Sequence, residues 1–231
     1  MSPEEPVLVG FPLRGEWAAA NTPAFRVPSH GTDQLGQRYA YDFLRLSGTR
    51  GKYYKGSPFQ LWTVGVRATD YYGYGQPVVA SFEGEVVEAF DGVKEKARHW
   101  PVGDILAVLR NSLAYGTRID SLTHSELRSL VGNHVILKKD GLFAFYAHLA
   151  AGSIKVRGGE MVREGEPLGA VGNTGNSTAP HLHFQLMDRI DILKAKGMPC
   201  AFKEYEEWTG EGWKGVRDSM PGRMVRIRLG P

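Results

Sequence analysis

Apolar residues alternate with polar residues over several short stretches of the chain, and this period-two pattern predicts β-strands. The clearest case is 134–149, where Asp140-Gly141 separates two apolar runs. Asp-Gly between such runs is typical of a two-residue hairpin turn. The stretches 76–90 and 181–187 have the same strand-like pattern. We therefore predict an all-β fold built from short antiparallel strands.

A different spacing occupies about 91–131, between two of the predicted strands. Leu106 and Leu109 recur there at a helical interval, and Thr123 with Glu126 forms the capping box that often begins a helix. This stretch is long enough for one or two short helices. We predict a helical insertion within the β-fold.

Composition narrows the possible classes of protein. Of the 231 residues, 42% are hydrophobic, which is typical of a globular domain and excludes a mainly disordered chain. The net charge of +3 is too small to indicate a nucleic-acid partner, and no such partner is expected. The single cysteine, Cys200, cannot form an intrachain disulfide. No apolar run approaches the roughly 18 residues of a membrane span, so neither a span nor a signal peptide is predicted.

The hairpin register distinguishes two histidines. Counting pairs outward from the turn places Asn133 opposite His148, and His134 opposite Ala147 on the other face of the sheet. His148 ends the second strand, in the run FYAHL. We interpret His134 as structural and His148 as the candidate for chemistry.

His181 and His183 form an H-x-H pair, and Asp42 lies within the apolar run AYDFL. Residues two apart in a strand point to the same face. The pair can therefore present one ring to a metal and leave the other beside it, or it can be two ordinary edge-strand histidines. Asp42 is either an edge carboxylate or a buried one, and a buried carboxylate needs a cation as partner.

These segments together resemble the lysostaphin/LytM-type zinc metallopeptidases. The resemblance is carried by the sequences YAYDF, QPVVASFEGEVVEAF, GNHVILKKDGLFAFYAHL and GNTGNSTAPHLHFQL, and it covers about 28–187, interrupted at 91–131. It implies one domain over 1–231, with 188–231 as a C-terminal extension. It also implies an antiparallel β-sheet or split barrel of LytM-like, barrel-sandwich type, with an open cleft.

The same resemblance implies an activity and a set of site residues. One zinc ion per chain would be held by Asp42, His183 and a further histidine. His148 and His181 would be the catalytic residues beside it, acting on the attacking water and the transition state. The expected substrates are peptide bonds of bacterial cell-wall peptidoglycan, at glycyl or D-alanyl cross-links.

The chain departs from the family pattern at one ligand. The family's first zinc ligand lies four residues before the aspartate, in an H-x-x-x-D pattern, and here that position is Arg38. Arginine stays protonated and cannot bind zinc. We predict that His30, twelve residues before Asp42, is the third ligand; the alternative is an ion pair between Arg38 and Asp42 in a site without metal. Asn133 and Ser177 are possible cleft residues.

Two other functions are left open by the sequence. Arg38 favours a degenerate domain that binds peptidoglycan, or activates another cell-wall hydrolase, without cleaving it. A non-enzymatic β-domain with structural histidines is the second alternative. The resemblance implies the cell envelope or the extracellular space, whereas the missing signal peptide would also suit a cytoplasmic protein.

Other parts of the chain match no motif. The Gly- and Tyr-rich stretch 48–75 has little periodicity, and we expect a long surface loop there. His99 and His124 lie in or beside the insertion, and both are expected at the surface.

Overall fold

The computed structural model describes residues 5–47, 51–115, 118 and 121–229. In this part of the chain the helices are α1 (Pro58–Thr63), α2 (Pro101–Tyr115) and α3 (His124–Val131). Short 3-10 turns cover Gln34–Tyr39 and Ala68–Asp70. The strands are β1 (Val7–Val9), β2 (Gly15–Asn21), β3 (Tyr41–Arg45), β4 (Val66–Arg67), β5 (Pro77–Val79), β6 (Gly84–Phe90), β7 (Arg98–His99), β8 (Asn133–Lys139), β9 (Leu142–Leu149), β10 (Met161–Val162), β11 (Pro167–Ala170), β12 (Leu182–Met187), β13 (Gly197–Met198), β14 (Cys200–Trp208), β15 (Trp213–Ser219) and β16 (Arg226–Leu229).

One large sheet organises the molecule. Its strands follow the order β1-β14-β16-β2-β3-β12-β9-β8-β6-β10, with β13 beside β12 and β15 beside β14. The all-β prediction is confirmed. Two details differ from it: the pairing of β1 with β14 is parallel, and the described strands do not close into a barrel.

The C-terminal residues belong to this sheet. Strands β14 and β16 lie between β1 and β2, so 200–229 is not an appendage to a separate core. Phe202 of β14 is fully buried against Phe11, Tyr41 and Phe43. Burying a side chain of this size contributes about 2–3 kcal/mol. The tail therefore stabilises the strand that carries Asp42.

The hairpin of β8 and β9 follows the predicted register near its turn. Residue 139 pairs with 142, 137 with 144 and 135 with 146. Asp140 and Gly141 both have positive φ, at 49° and 79°, as a type I′ turn requires.

The register changes at the far end of the hairpin. An irregularity between Asn133 and Val135 places Asn133 opposite Leu149, and the prediction that Asn133 pairs with His148 is wrong. A bulge adds one residue to a strand, and counting outward from the turn cannot detect it. His148 has a φ of 61° at this point, which re-aims its side chain.

The helical insertion lies between β6 and β8, as predicted. It contains β7, α2 and α3, and β7 pairs with β4. The predicted capping box is present at α3: the Thr123 hydroxyl accepts the Glu126 N–H, and the Glu126 carboxylate accepts the Thr123 N–H. None of the helices in the described residues has both the length and the hydrophobicity that crossing a bilayer requires.

The stretch 51–75 is more ordered than the surface loop we expected. It contains α1 and β4, and it buries a small apolar cluster formed by Tyr54, Leu61, Val66 and Tyr71. Aromatic side chains provide this cluster without a periodic pattern, which is why the sequence did not reveal it.

Candidate metal centre and active site

Strand pairing brings the predicted site residues together. Asp42 is on β3, and His183 on the adjacent strand β12 lies directly opposite it. On its other side, His183 lies opposite Ala147 of β9, the residue before His148. Three neighbouring strands thus carry Asp42, His183 and His148 to one place on the sheet.

His30 reaches the same place through a folded loop. Its Nε2 atom lies 2.8 Å from Asp42 Oδ2, while His183 Nδ1 lies 2.9 Å from Asp42 Oδ1. The backbone N–H of Ser29 donates to the carbonyl of Arg38, which ties the His30 turn to the start of β3. Within the described residues, His30, Asp42 and His183 form a group whose ligand atoms all lie within 4.8 Å of one another.

Arg38 occupies a different environment from the one the alternative required. Its guanidinium binds the carboxylate of Asp33, at 2.7 and 2.9 Å, on the surface. The predicted alternative of an ion pair between Arg38 and Asp42 is therefore wrong for this structure.

Ser29 determines which nitrogen of the His30 ring carries the proton. The Ser29 hydroxyl lies 3.1 Å from the Gln37 carbonyl and 3.0 Å from His30 Nδ1. Because the hydroxyl donates its one proton to the carbonyl, it accepts from His30 Nδ1–H. The Nε2 atom of a neutral His30 ring then carries a lone pair toward Asp42.

A glutamine does the same for His183. The Gln185 side-chain N–H donates to the Leu35 carbonyl at 2.7 Å, which leaves Gln185 Oε1 facing His183 Nε2 at 2.9 Å. His183 therefore donates through Nε2, and its Nδ1 lone pair points at Asp42.

These donors fit a metal ion. Two imidazole lone pairs and a carboxylate oxygen aimed at one another repel unless a cation lies among them. Two histidines and one aspartate are a set that zinc accepts, and three protein ligands are the usual number in catalytic zinc sites. Asn21 donates to Asp42 Oδ2 at 2.7 Å and holds the carboxylate in place.

His148 and His181 lie beside this group. Their ring centroids are 4.9 Å apart, and the His148 ring is 5.9 Å from that of His183. The His148 Nδ1–H donates to the Thr174 carbonyl at 2.8 Å, and the His181 Nδ1–H donates to the Ala179 carbonyl at 2.7 Å. The His148 Nδ1–H bond directs Nε2 of that ring away from Thr174, whereas His181 Nε2 faces Asp42 Oδ1 at 3.4 Å.

Residues 114–195 match the sequence profile of peptidase family M23. This part of the chain belongs to peptidase family M23. The matched stretch includes His148, His181 and His183, whereas His30 and Asp42 lie before it.

Several curated proteins resemble parts of this chain. Lysostaphin of Staphylococcus simulans is 36% identical over 95 residues, which cover 36% of this chain and 19% of lysostaphin. The cell division protein DipM of Caulobacter vibrioides is 45% identical over 69 residues, covering 29% of this chain and 11% of DipM. The peptidoglycan DD-endopeptidase ShyA of Vibrio cholerae is 39% identical over 68 residues, covering 28% and 15%.

Among solved structures, the catalytic domain of lysostaphin from Staphylococcus simulans is 19% identical, with a TM-score of 0.38. That comparison covers 80% of this chain and 88% of the lysostaphin domain. The chain spans about a fifth of the length of full lysostaphin.

Burial and neighbouring charges shift the pKa values of the ionisable groups in this site in different directions. Burial, reinforced by the charges of His181 and His183, holds the pKa of His148 well below its usual range. Burial opposes ionisation of Asp42, but attraction first to His30 and then to His181 holds the pKa of Asp42 well below normal. Burial also opposes ionisation of His181, but attraction to Asp42 raises the pKa of His181.

The two possible cleft residues are buried. Asn133 is fully buried, and its side chain is bonded to the backbone of Gly92 and Val93. The Ser177 hydroxyl lies 3.1 Å from His181 Nδ1 and donates to the Ala179 carbonyl.

The remaining histidines lie away from Asp42. His134 contacts the Gly132 carbonyl and Glu88. His124 is exposed, as expected. His99 is only 1% exposed, so its predicted surface position is wrong: Asp104 at the start of α2 and the Asn173 amide enclose its ring.

Sequence reasoning missed the residues that orient the candidate metal ligands. Gln185 follows His183 by two positions on the same strand and therefore on the same face, so its spacing was a usable signal. Asn21, Ser29 and Thr174 carried no comparable signal, because they meet the site through loops or through strands distant in sequence.

Proposed function

We propose that this chain is a zinc metalloendopeptidase that hydrolyses peptide bonds of bacterial cell-wall peptidoglycan, at glycyl or D-alanyl cross-links. The supporting observation is that His30 and His183 aim oriented lone pairs at the Asp42 carboxylate, beside two further histidines. The proposed substrate class follows the relatives, which include a glycyl-glycine endopeptidase and peptidoglycan DD-endopeptidases.

In this proposal His30 Nε2, the Asp42 carboxylate and His183 Nδ1 hold one zinc ion per chain. When bound, zinc would supply Lewis-acid chemistry, polarising a peptide carbonyl and making a water acidic enough to attack near pH 7. The protein positions those ligands through Ser29, Gln185 and Asn21, which fix the two rings and the carboxylate.

His148 and His181 would divide the proton transfers between them. The lowered pKa of His148 keeps its ring neutral, so Nε2 can take a proton from the attacking water. In the metal-free protein, Asp42 raises the pKa of His181 against the effect of burial, and a protonated His181 would give its proton to the leaving amine. Environments that push two pKa values apart are the pattern expected of an acid and base pair.

No described contact now favours a degenerate, non-catalytic domain. Arg38, the residue that suggested it, binds Asp33 at the surface. Release of new amino groups from purified peptidoglycan, together with elemental analysis for one zinc per chain, tests the proposal directly. Protein that binds peptidoglycan and zinc but releases no amino groups would show the non-catalytic function instead.

Variants of the two histidines test the mechanism. His148→Ala and His181→Ala should each lower turnover by roughly 10²–10⁴, the usual contribution of a positioned acid or base, and should retain zinc. His134→Ala is the matched control, since His134 lies away from Asp42 and should affect stability more than turnover. Full activity in either of the first two variants would contradict the mechanism.

A further inference from the structure

The loop 172–177 lies between the two ends of the helical insertion. At the start of the insertion, Glu95 Oε1 accepts the Asn173 N–H at 3.2 Å, and Lys96 Nζ donates to the Ser177 carbonyl at 3.1 Å. At its other end, the carbonyl of Leu130 accepts the N–H of residue 176 at 2.8 Å. Both ends of the insertion therefore bind the same short loop.

Glycines allow this contact to be close. A Cβ atom on Gly172 would lie 2.3 Å from the Ala150 backbone and 2.5 Å from Glu95 Oε1. A Cβ atom on Gly132, where α3 ends, would lie 2.6 Å from the Thr174 carbonyl oxygen. Real Cβ atoms do not approach other atoms so closely, so the loop and the insertion are in direct backbone contact.

Asn133 joins the three segments. Its side-chain oxygen accepts the N–H groups of Gly92 and Val93, and its side-chain N–H donates to the Val93 carbonyl at 3.0 Å. Its backbone N–H donates to the Thr174 hydroxyl at 2.9 Å. The start of the insertion, its end and the loop consequently meet at one buried amide.

The other side of the same loop orients the two histidines beside the candidate metal site. The Thr174 carbonyl accepts from His148 Nδ1–H, and Ser177 lies against Nδ1 of His181. A displacement of this loop would therefore turn both rings.

We propose that the insertion is a brace for the loop 172–177, and that Glu95 and Lys96 are positioning residues for His148 and His181. The catalytic consequence rests on the proposed function, because it assumes that those two histidines transfer protons. The brace itself does not: it concerns the order of the loop, which is measurable in protein that turns nothing over.

Lys96→Met tests the brace, with Arg98→Met as its matched control. Both side chains are cations on one segment and donate to backbone carbonyls, but Arg98 binds those of Val64 and Gly65, away from the loop. In the 231-residue chain without metal, we expect Lys96→Met to speed hydrogen–deuterium exchange of 172–177 by about threefold to tenfold, the effect of one hydrogen bond. Arg98→Met should exchange like the wild type there.

Measurement of turnover is the second test, and it concerns the catalytic consequence of the brace. Lys96→Met should lower kcat by about threefold to tenfold, again the effect of one hydrogen bond, with KM and zinc content unchanged. Glu95→Gln, which retains an oxygen for the Asn173 N–H, should behave like the wild type, while Glu95→Ala should resemble Lys96→Met.

The outcomes separate this proposal from the proposed function. If the wild-type protein is inactive but the loop 172–177 exchanges faster in Lys96→Met, the proposed enzymatic function is contradicted and the brace is supported. The brace is overturned, whatever the activity, if the loop exchanges at the same rate in Lys96→Met and in the wild type. It is also overturned if Arg98→Met speeds exchange of the loop as much as Lys96→Met does.

Discussion

The candidate zinc ligands are selected by folding rather than by spacing, as His30 and Arg38 illustrate. Arg38 stands at the position where the family pattern has a ligand, yet its guanidinium reaches outward to Asp33. His30 is eight residues earlier, and its turn returns to the start of β3 through the hydrogen bond between Ser29 and Arg38. This backbone hydrogen bond brings His30 next to Asp42, whereas the Arg38 side chain points away from Asp42.

Replacing each of these two side chains by alanine should therefore affect zinc binding and turnover differently. His30→Ala removes one of three nitrogen and oxygen donors, so we expect loss of stoichiometric zinc and of turnover. Arg38→Ala removes only a surface ion pair, worth about 1 kcal/mol or less, and should retain both. Elemental analysis and peptidoglycan cleavage check the pair. Stoichiometric zinc in folded His30→Ala would contradict His30 as a ligand.

Gln185 provides a second test at this scale, because it determines which His183 nitrogen carries the proton. Gln185→Met is similar in size but cannot accept from His183 or donate to Leu35, and we expect zinc affinity to fall by about 10–100-fold. Competition with a chelator measures this affinity. Gln34→Met, an exposed glutamine in the neighbouring turn, is the control and should bind zinc like the wild type. Equal affinity in the two variants would show that Gln185 does not orient the ligand.

At the scale of elements, Glu88 connects β6 to β8 and α3. Its carboxylate lies 3.3 Å from His134 Nε2 and 3.6 Å from the Arg128 guanidinium. The hydrogen bond from His134 lowers the pKa of Glu88; partial burial opposes this effect, and the charges of His134 and Arg128 add to it. The carboxylate therefore stabilises the junction only while it is ionised.

This predicts a pH-dependent contribution to stability. The pKa of Glu88 is lower in the folded than in the unfolded state, so its contribution is present above the unfolded pKa of about 4.3 and is lost as pH falls through the lower folded value. At pH 7, Glu88→Gln should reduce the free energy of unfolding by about 1 kcal/mol or less, since solvent screens the partly exposed pair. Urea unfolding of both proteins from pH 7 to pH 3 measures it, and a difference that persists unchanged at pH 3 would contradict the prediction.

At the scale of the whole molecule, the strands after residue 200 complete the sheet that carries the site. Tyr41, adjacent to Asp42, donates its hydroxyl to the Cys200 carbonyl at 2.7 Å, and Phe202 packs on the same aromatic cluster. The position of Asp42 thus depends on residues about 160 positions later in the chain.

Phe202→Ala tests this dependence. Truncation of a fully buried aromatic side chain should reduce the free energy of unfolding by about 3–5 kcal/mol. Met161→Ala, at a side chain that is 68% exposed, should change it by less than about 0.5 kcal/mol. Denaturant unfolding compares the two variants. Equal stability of both would mean that β14 contributes little to the core.

Local features of the fold were predictable from the sequence because each depends on neighbouring residues. Alternation along 181–187 is a property of one strand, and it places His181 and His183 on one face without knowledge of the rest of the chain. The Asp140-Gly141 turn and the capping box at Thr123 likewise depend on two to four adjacent residues and occur where predicted.

Contacts between distant segments were decided only by the tertiary structure. The bulge after Asn133, the return of the His30 turn to β3, and the burial of His99 each require a partner far away in sequence, and no local pattern encodes that partner. The strands after residue 200 show no clear alternation of buried and exposed residues, and the strands that they join are decided by the packing of the whole sheet. Residue types and faces were therefore set by the sequence, whereas the assembly of His30 with Asp42 and His183 was set by the three-dimensional path of the chain.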